Sequence, residues 1–411
     1  MRVLGINAYE DRPALFDILD KRIISARLDN NILSLKNQLQ DWDYVAYPHT
    51  HHFDEIKALV KQFTGARVIS TDYRESLAMS ALCTRDWNNC AVMIIDSYYC
   101  ALGYYADKQF HWLREFQYPN SLCLFYSAAA RFLGFDSLQE TLLSEAALHG
   151  NPTYDSLITD KIISSTAGDY TLLLDLTRGI GSGPLNFDIA SSVQTVFNRI
   201  VLSLAQWLAK SVNNSKLVYA GRASANYQTN TLISEFSGFD EIAIQPLTSS
   251  AGAALGAAAL ISRPLCSSSQ YGEEILPAIS ADGFAQELLY GKIMPLTVGR
   301  VEIADSSVIN RNLISIPFEP LLPEYKKQAK LAYSWQAPLV ICQEQDYHKY
   351  YEGKHYPTYG QYISTNKPGT PSFGINYTRV VTTSISSNAY MNRVLEVTRS
   401  QGYPLLVSSP L

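Results

Sequence analysis

The chain has 411 residues, 47% of them hydrophobic and 17% charged, with a formal net charge of −5. That is too apolar and too charge-poor for a disordered protein, and long enough for two or three domains with sizeable cores. A mild acidic excess without a Lys/Arg-rich run excludes an electrostatic footprint for nucleic acid or for an anionic membrane surface. The six cysteines (Cys83, Cys90, Cys100, Cys123, Cys266 and Cys342) form no CxxC and sit mostly in apolar runs, as expected of buried reduced thiols. The N-terminal apolar stretch is too short, and its first acid too early, for a signal peptide. The longest apolar run, near 251–262, is too short to span a bilayer. A cytoplasmic setting is expected.

In chain order, VLGINAY, ALFDILD and RIISARL predict a three-strand meander with linkers of a few residues. The pattern returns at AVMIIDSYY, ALGYYAD and FHWLREF. Two copies of one strand unit, each followed by helical sequence, predict an internal duplication, the pattern of the actin-like (ASKHA, RNase H-like) fold. Helices are predicted over Asn120–Phe135, with Asn120 or Ser121 as cap, and over Phe187–Val212. KLVYAGRASANYQTNTLIS and EIAIQPLTSSAGAALGAAALIS each read as strand, loop and helix, with loop amides and helix N-termini facing a cleft. TLLLDL reads as a strand ending at a Gly-rich turn, Gly179 to Gly183, which lacks the spacing of a nucleotide fingerprint.

A Ser-rich break, PLCSSSQYGEE, predicts a domain boundary, giving 1–265 and 275–411. Beyond it, a helix at FAQELLYGK, strands around IMPLTVGRVEI, LISIPFE and TRVVTTSI, a helix at NAYMNRVLEVTRSQG and a last strand, YPLLVSS, make a second α/β unit. Tyrosines in HKYYEGKHYPTYGQY suggest a contact surface.

LGINAYEDRPAL, SLCLFYSAAARFLGF, QPLTSSAGAALGAAAL, GKIMPLTVGRVEIADSSVINRNLI and GYPLLVSSPL, in that order, resemble the O-carbamoyltransferase family of nodulation-factor and antibiotic carbamoylating enzymes. The resemblance implies a large actin-like (Kae1-type) domain and a smaller YrdC-like domain. The YrdC-like domain makes carbamoyl-adenylate from carbamoyl phosphate and ATP. The actin-like domain, with a bound iron or zinc, passes the carbamoyl group to a hydroxyl acceptor. The chain is shorter than typical members of the family.

Its site motifs depart from the family pattern. The metal-binding histidines of HHxAHA fall on Ser76 and Met79, and a second aspartate position holds Ser250, while Asp96 is retained. One carboxylate is not a metal site, which needs about four ligands. Glu10 stands where the family has a histidine. In the nucleotide loop, Gly221 is followed by Arg222 in place of a second glycine, with Asn226 closing the motif. In the second unit, Gly299, Arg300, Glu302, Asn310 and Arg311 match, but Ser306, beside Asp305, replaces an anion-binding arginine. Lys330–Pro338 lacks the arginines of its family counterpart, and Arg379 matches a family arginine. Arg300, Arg311 and Arg379 are expected either to be structural surface arginines or to form a reduced anion pocket, and Gly221, Arg222, Asn226 and Asn310 to be remnants of nucleotide sites. His49, His51, His52 and Asp54 form a weak metal-like cluster that is more simply a solvated loop.

Two functions are expected. In one, a carbamoyltransferase-like protein of specialised metabolism lacks metal- and ATP-dependent chemistry and acts as a companion to a biosynthetic enzyme. In the other, a diverged transferase or cyclase uses Glu10 and Asp96 as acid and base in the old cleft. No metal is expected, and ATP, iron or zinc only if the family mechanism survives. Partners are a second copy or a pathway enzyme, with a small or anionic ligand allowed and neither nucleic acid nor membrane. Association through the second unit and its Tyr-rich loop is expected because, if the cover that follows YPLLVSS in the family is missing, apolar surface and in some arrangements a sheet edge would be exposed.

Overall fold

The computed structural model describes residues 1–7, 14–20, 22–28, 42–49, 65–136, 140–244, 247–248, 250–263, 270–302, 309–354, 361–371 and 376–411. Glu10, Asp305, Ser306, His51, His52 and Asp54 lie outside them.

The meander forms as the alternation requires. β1 (Arg2–Asn7), β2 (Ala14–Leu19) and β3 (Arg22–Leu28) are antiparallel. β4 (Tyr44–His49) and β5 (Arg67–Asp72) extend the sheet in parallel, giving the order β3-β2-β1-β4-β5. The second sheet repeats that plan. β6 (Cys90–Ile95), β7 (Tyr99–Ala106) and β8 (Gln109–Gln117) are antiparallel, while β11 (Lys216–Ala220) and β12 (Glu241–Ile244) run parallel to β6. The order is β12-β11-β6-β7-β8, so the duplication read from sequence is a duplication of topology. Between the parallel strands, β9 (Ile163–Thr166) and β10 (Asp169–Leu172) form a hairpin.

β6 shows why its sequence, CAVMII, is unbroken by polar residues. Ala91, Met93 and Ile95 face one core and Cys90, Val92 and Ile94 the other, so both faces are covered. The helices are α1 (Tyr73–Leu82), α2 (Leu122–Phe132), α3 (Glu140–Ala147), α4 (Asp155–Lys161), α5 (Phe187–Ser211), α6 (Tyr227–Phe236) and α7 (Ser250–Ser262). Asp72, Ser121, Asn186 and Asn226 cap α1, α2, α5 and α6 through side-chain oxygens. α7 crosses back onto the first sheet and lies against α1. At their contact a Cβ on Gly256 would stand 1.6 Å from the Ser76 carbonyl oxygen, so only glycine permits this approach. TLLLDL is not the strand its composition suggests. Only Thr171 and Leu172 join β10, and Leu173 and Leu174 are exposed, because no strand pairs beyond Leu172.

The second unit opens with β13 (Gln270–Ile275), so the C-terminal part of the Ser-rich break is a strand. It pairs with β15 (Gly299–Glu302). A seven-stranded sheet contains β14 (Met294–Thr297), β16 (Arg311–Ser315), β17 (Leu339–Gln343), β18 (Tyr351–Glu352), β19 (Ile363–Asn366), β20 (Tyr377–Thr383) and β21 (Leu405–Pro410). Its order is β14-β16-β21-β17-β20-β19-β18. α8 (Ala281–Leu289) and α11 (Ile385–Ser400) pack together, with α9 (Leu322–Gln328) and α10 (Tyr347–Tyr350) in the connections. The last strand is therefore not an edge. β21 is paired on both sides, with β16 and β17, and Leu405–Ser409 are buried. Sequence order placed it last, but long-range pairing places it near the middle.

Five cysteines, Cys83, Cys90, Cys100, Cys123 and Cys342, are free and buried. Among the described residues no helix is long and apolar enough to cross a membrane.

Candidate functional site

β6 and β11 end side by side. Asp96 follows β6 and Gly221 follows β11, as the parallel register dictates. Gly221 has φ +92°, and a Cβ there would meet the Ile95 carbonyl oxygen at 2.5 Å. Glycine thus lets the two strand ends approach. The approach brings the Arg222 N–H to Asp96 Oδ1 at 2.9 Å, while the Tyr73 hydroxyl, from the start of α1, donates to Asp96 Oδ2 at 2.9 Å. Asp96 is 6% exposed. Burial pushes its carboxyl above the ordinary range, against the Arg222 N–H and Tyr73 bonds, which favour the anion. The carboxylate thus links the start of α1 to the ends of β6 and β11.

Two of the positions read as lost metal ligands, Ser76 and Met79, are packing positions. Ser76 and Met79 are buried, and the Ser76 hydroxyl donates to the Asp72 carbonyl and exchanges a 2.9 Å bond with Thr71. Ser250 opens α7. Among the described residues no group of three His, Cys, Asp or Glu side chains could hold a metal ion. The described donors around Asp96 do not fit the family's metal.

Asn226 is also occupied. Its Oδ1 accepts from Thr229 N at 3.2 Å and from Gln194 Nε2 at 3.1 Å, and its Nδ2 donates to Gln194 Oε1 at 3.0 Å and Tyr126 Oη at 3.2 Å. It knits α6 to α5 and α2.

The expected reduced anion pocket is not assembled. Arg300, Asn310 and Arg311 come together at β15 and β16, where Asn310 Nδ2 donates to the Arg300 carbonyl at 2.8 Å. Arg311 NH1 donates to the carbonyls of Val298 and Asn310 at 2.6 and 2.7 Å, and Glu302 accepts the Ile309 and Asn310 amides. Arg379 lies on β20, three strand positions from β16, or about 14 Å across the sheet.

Arg379 belongs instead to a small recess between the two units. Glu145, His149 and Tyr227 face Trp335, Tyr377 and Arg379 there. The Tyr227 hydroxyl donates to Glu145 Oε1 at 2.8 Å, and the Arg379 guanidinium sits 4.6 Å over the Tyr227 ring. Gln336 Nε2 reaches Glu145 Oε2 at 3.5 Å. Burial raises the Glu145 carboxyl, partly offset by Arg379, and lowers the His149 imidazole, so His149 is neutral near pH 7. Trp335 anchors the seam, 5.9 Å from Phe187 and 5.8 Å from His149, and Tyr333 stacks on it at 4.9 Å. Backbone of the second unit completes the contact: Asn230 Nδ2 donates to the Gln361 carbonyl and Ile363 N to Thr231 Oγ1. The segment Lys330–Pro338, read as an eroded anion motif, is thus a docking segment. Glu145 and Trp335 carry no chemical pattern in the sequence, and only the aromatic spacing of YSW hints at an anchor.

Residues 180–259 match the family model described as carbamoyltransferase N-terminus. An uncharacterized protein of Synechocystis sp. is 26% identical over 318 residues, which are 61% of this chain and 51% of that protein. The nodulation protein NolO of Bradyrhizobium diazoefficiens is 29% identical over 166 residues, 37% of this chain and 30% of that protein. The chain thus matches about half or less of these relatives' length. Component A of the Acidaminococcus fermentans (R)-2-hydroxyglutaryl-CoA dehydratase aligns with 64% of this chain and 98% of its own, at TM-score 0.41 and 16% identity. A ROK family glucokinase from Streptomyces griseus aligns with 63% and 99%, at TM-score 0.35 and 13% identity.

Proposed function

Starting from this chain's relationship to the O-carbamoyltransferase family, we propose that it is a carbamoyltransferase-like protein of specialised metabolism that does not carry out metal- and ATP-dependent carbamoyl transfer. It works in the cytosol as a companion to a biosynthetic enzyme, with which it associates. Its second unit, from β13 onward, is a YrdC-like domain put to a binding role.

The closure of Asp96 carries this reading. The carboxylate best placed to hold a cation accepts hydrogen bonds from Tyr73 and from the Arg222 amide, and that amide belongs to the loop that would cradle a phosphate. Ser76 and Met79 pack in the interior, and Arg311 and Asn226 are committed to carbonyls and amides. A polar group already paired in a buried network gives up that pairing before it can bind a ligand.

Calorimetry with ATP and magnesium is the test. The reading predicts millimolar or weaker affinity, and no phosphate released from carbamoyl phosphate and ATP above the uncatalysed background. Micromolar ATP affinity with turnover would overturn it. Stimulation of an intact family member by the purified chain would support the companion role.

A further inference from the structure

Beside the end of β6, the described residues leave an apolar surface uncovered. Tyr98, in the turn between β6 and β7, and Tyr118, just past β8, stand side by side because Tyr99 pairs with Gln117, and their ring centroids are 5.7 Å apart. Two residues on, Asn120 Oδ1 accepts the Leu172 amide at 2.9 Å, which brings the end of β10 against this turn and carries Leu173 and Leu174 out beside it. The four side chains are 41–48% exposed. They present on the order of 300–400 Å² of apolar surface, the size at which a patch on a monomer marks an interaction site. Gln117–Asn120 and Thr171–Leu174 carry no charge, as in the core of an interface.

The loop that follows is pinned in place. Leu176 is buried in the core of the first unit, its carbonyl accepts the Gly179 amide at 3.0 Å, and Asp175 Oδ1 accepts from Thr177 N and Oγ1 at 3.0 and 2.6 Å. It sets two exposed and opposite charges, Asp175 and Arg178, at the rim of the patch. A face with an apolar centre and both signs of charge on its rim fits a copy of itself, since a twofold axis lets Asp175 of each chain meet Arg178 of the other. We propose that the face formed by Tyr98, Tyr118, Leu173 and Leu174 is the contact of a homodimer. A standard interface buries about 800 Å² on each partner, a little over half of it apolar, and the patch supplies most of that apolar share. The two tyrosines are its anchors. The contact lies in the first unit, not in the tyrosine-rich stretch of the second. It stands whether or not carbamoyl transfer survives, since it uses none of the groups that pair with Asp96.

Sedimentation velocity on the full chain, from about 1 to about 100 μM, is the test. A concentration-dependent dimer of micromolar affinity is expected. Leu173→Lys and Leu174→Lys together should weaken it at least about a hundredfold, because they set like charges against one another across the twofold axis. Arg178→Glu should weaken it about tenfold. Phe236→Lys, the same kind of change at an exposed apolar residue of α6, should leave it unchanged. The urea midpoint of each variant checks its fold, and should the double lysine variant misfold, Arg178→Glu, on the exposed loop, decides. A monomer at about 100 μM, a dimer that the patch and loop variants leave as tight as the parent, or equal weakening by Phe236→Lys would overturn the assignment.

Discussion

Asp96 illustrates what a residue's position in a strand reveals and what it hides. An aspartate ending an apolar strand beside a glycine loop points to a cleft, and in the structure Asp96 lies buried beside that loop. The donors that fill its carboxylate, Tyr73 and the Arg222 amide, come from 23 and 126 residues away and leave no local pattern. Replacement with alanine should cost about 2–3 kcal/mol, because it strands a buried hydroxyl and a buried amide. Asn keeps an acceptor for the amide and a partner for the hydroxyl, so Asp96→Asn should unfold within about 1 kcal/mol of the parent in urea. Equal stability of the alanine variant would show that these bonds contribute nothing. The pH dependence has a definite sign. Burial raises the Asp96 carboxyl in the folded chain above its unfolded value near 3.8. Its contribution is therefore full below that value and is lost as pH rises through the folded one. Asp96→Asn should flatten this part of the stability profile.

At the scale of elements, the predicted helices around Leu122–Phe132 and Phe187–Ser211 form close to their expected limits, since apolar periodicity and Ser or Asn caps are local signals. Pairing partners are not local, so TLLLDL lacked one and β21 gained two. Close helix contact was hinted at by the Ala/Gly composition of α7, and Gly256 is where it matters. Gly256→Ala would drive α1 and α7 apart and should cost about 3 kcal/mol or more, read as a lowered urea midpoint. Trp335 binds one unit to the other. Trp335→Ala should remove about 3–5 kcal/mol of seam packing and split calorimetric unfolding into two transitions. A single unshifted transition would show that the units hold together by other contacts.

For the whole molecule, the duplication was readable because the same three-strand meander opens each half in sequence, while the parallel strands that complete each sheet follow at unlike distances, β4 soon after β3 and β11 only after several helices and a hairpin. The seam was not readable, because it depends on contacts between residues far apart in the sequence. Those contacts moved Arg379 from an expected anion pocket with Arg300 and Arg311 to a recess with Glu145 and Tyr227, and made Lys330–Pro338 a docking segment. Ligand counting in the sequence argues against the family's metal, and packing at Ser76 gives a physical reason for the same expectation. Ser76 is buried and its backbone lies against Gly256 of α7, which leaves little room there for a larger side chain. Elemental analysis of the purified, untagged full-length chain tests the central claim most directly. The account predicts iron and zinc far below one atom per chain, whereas one tightly held iron or zinc per chain would contradict it.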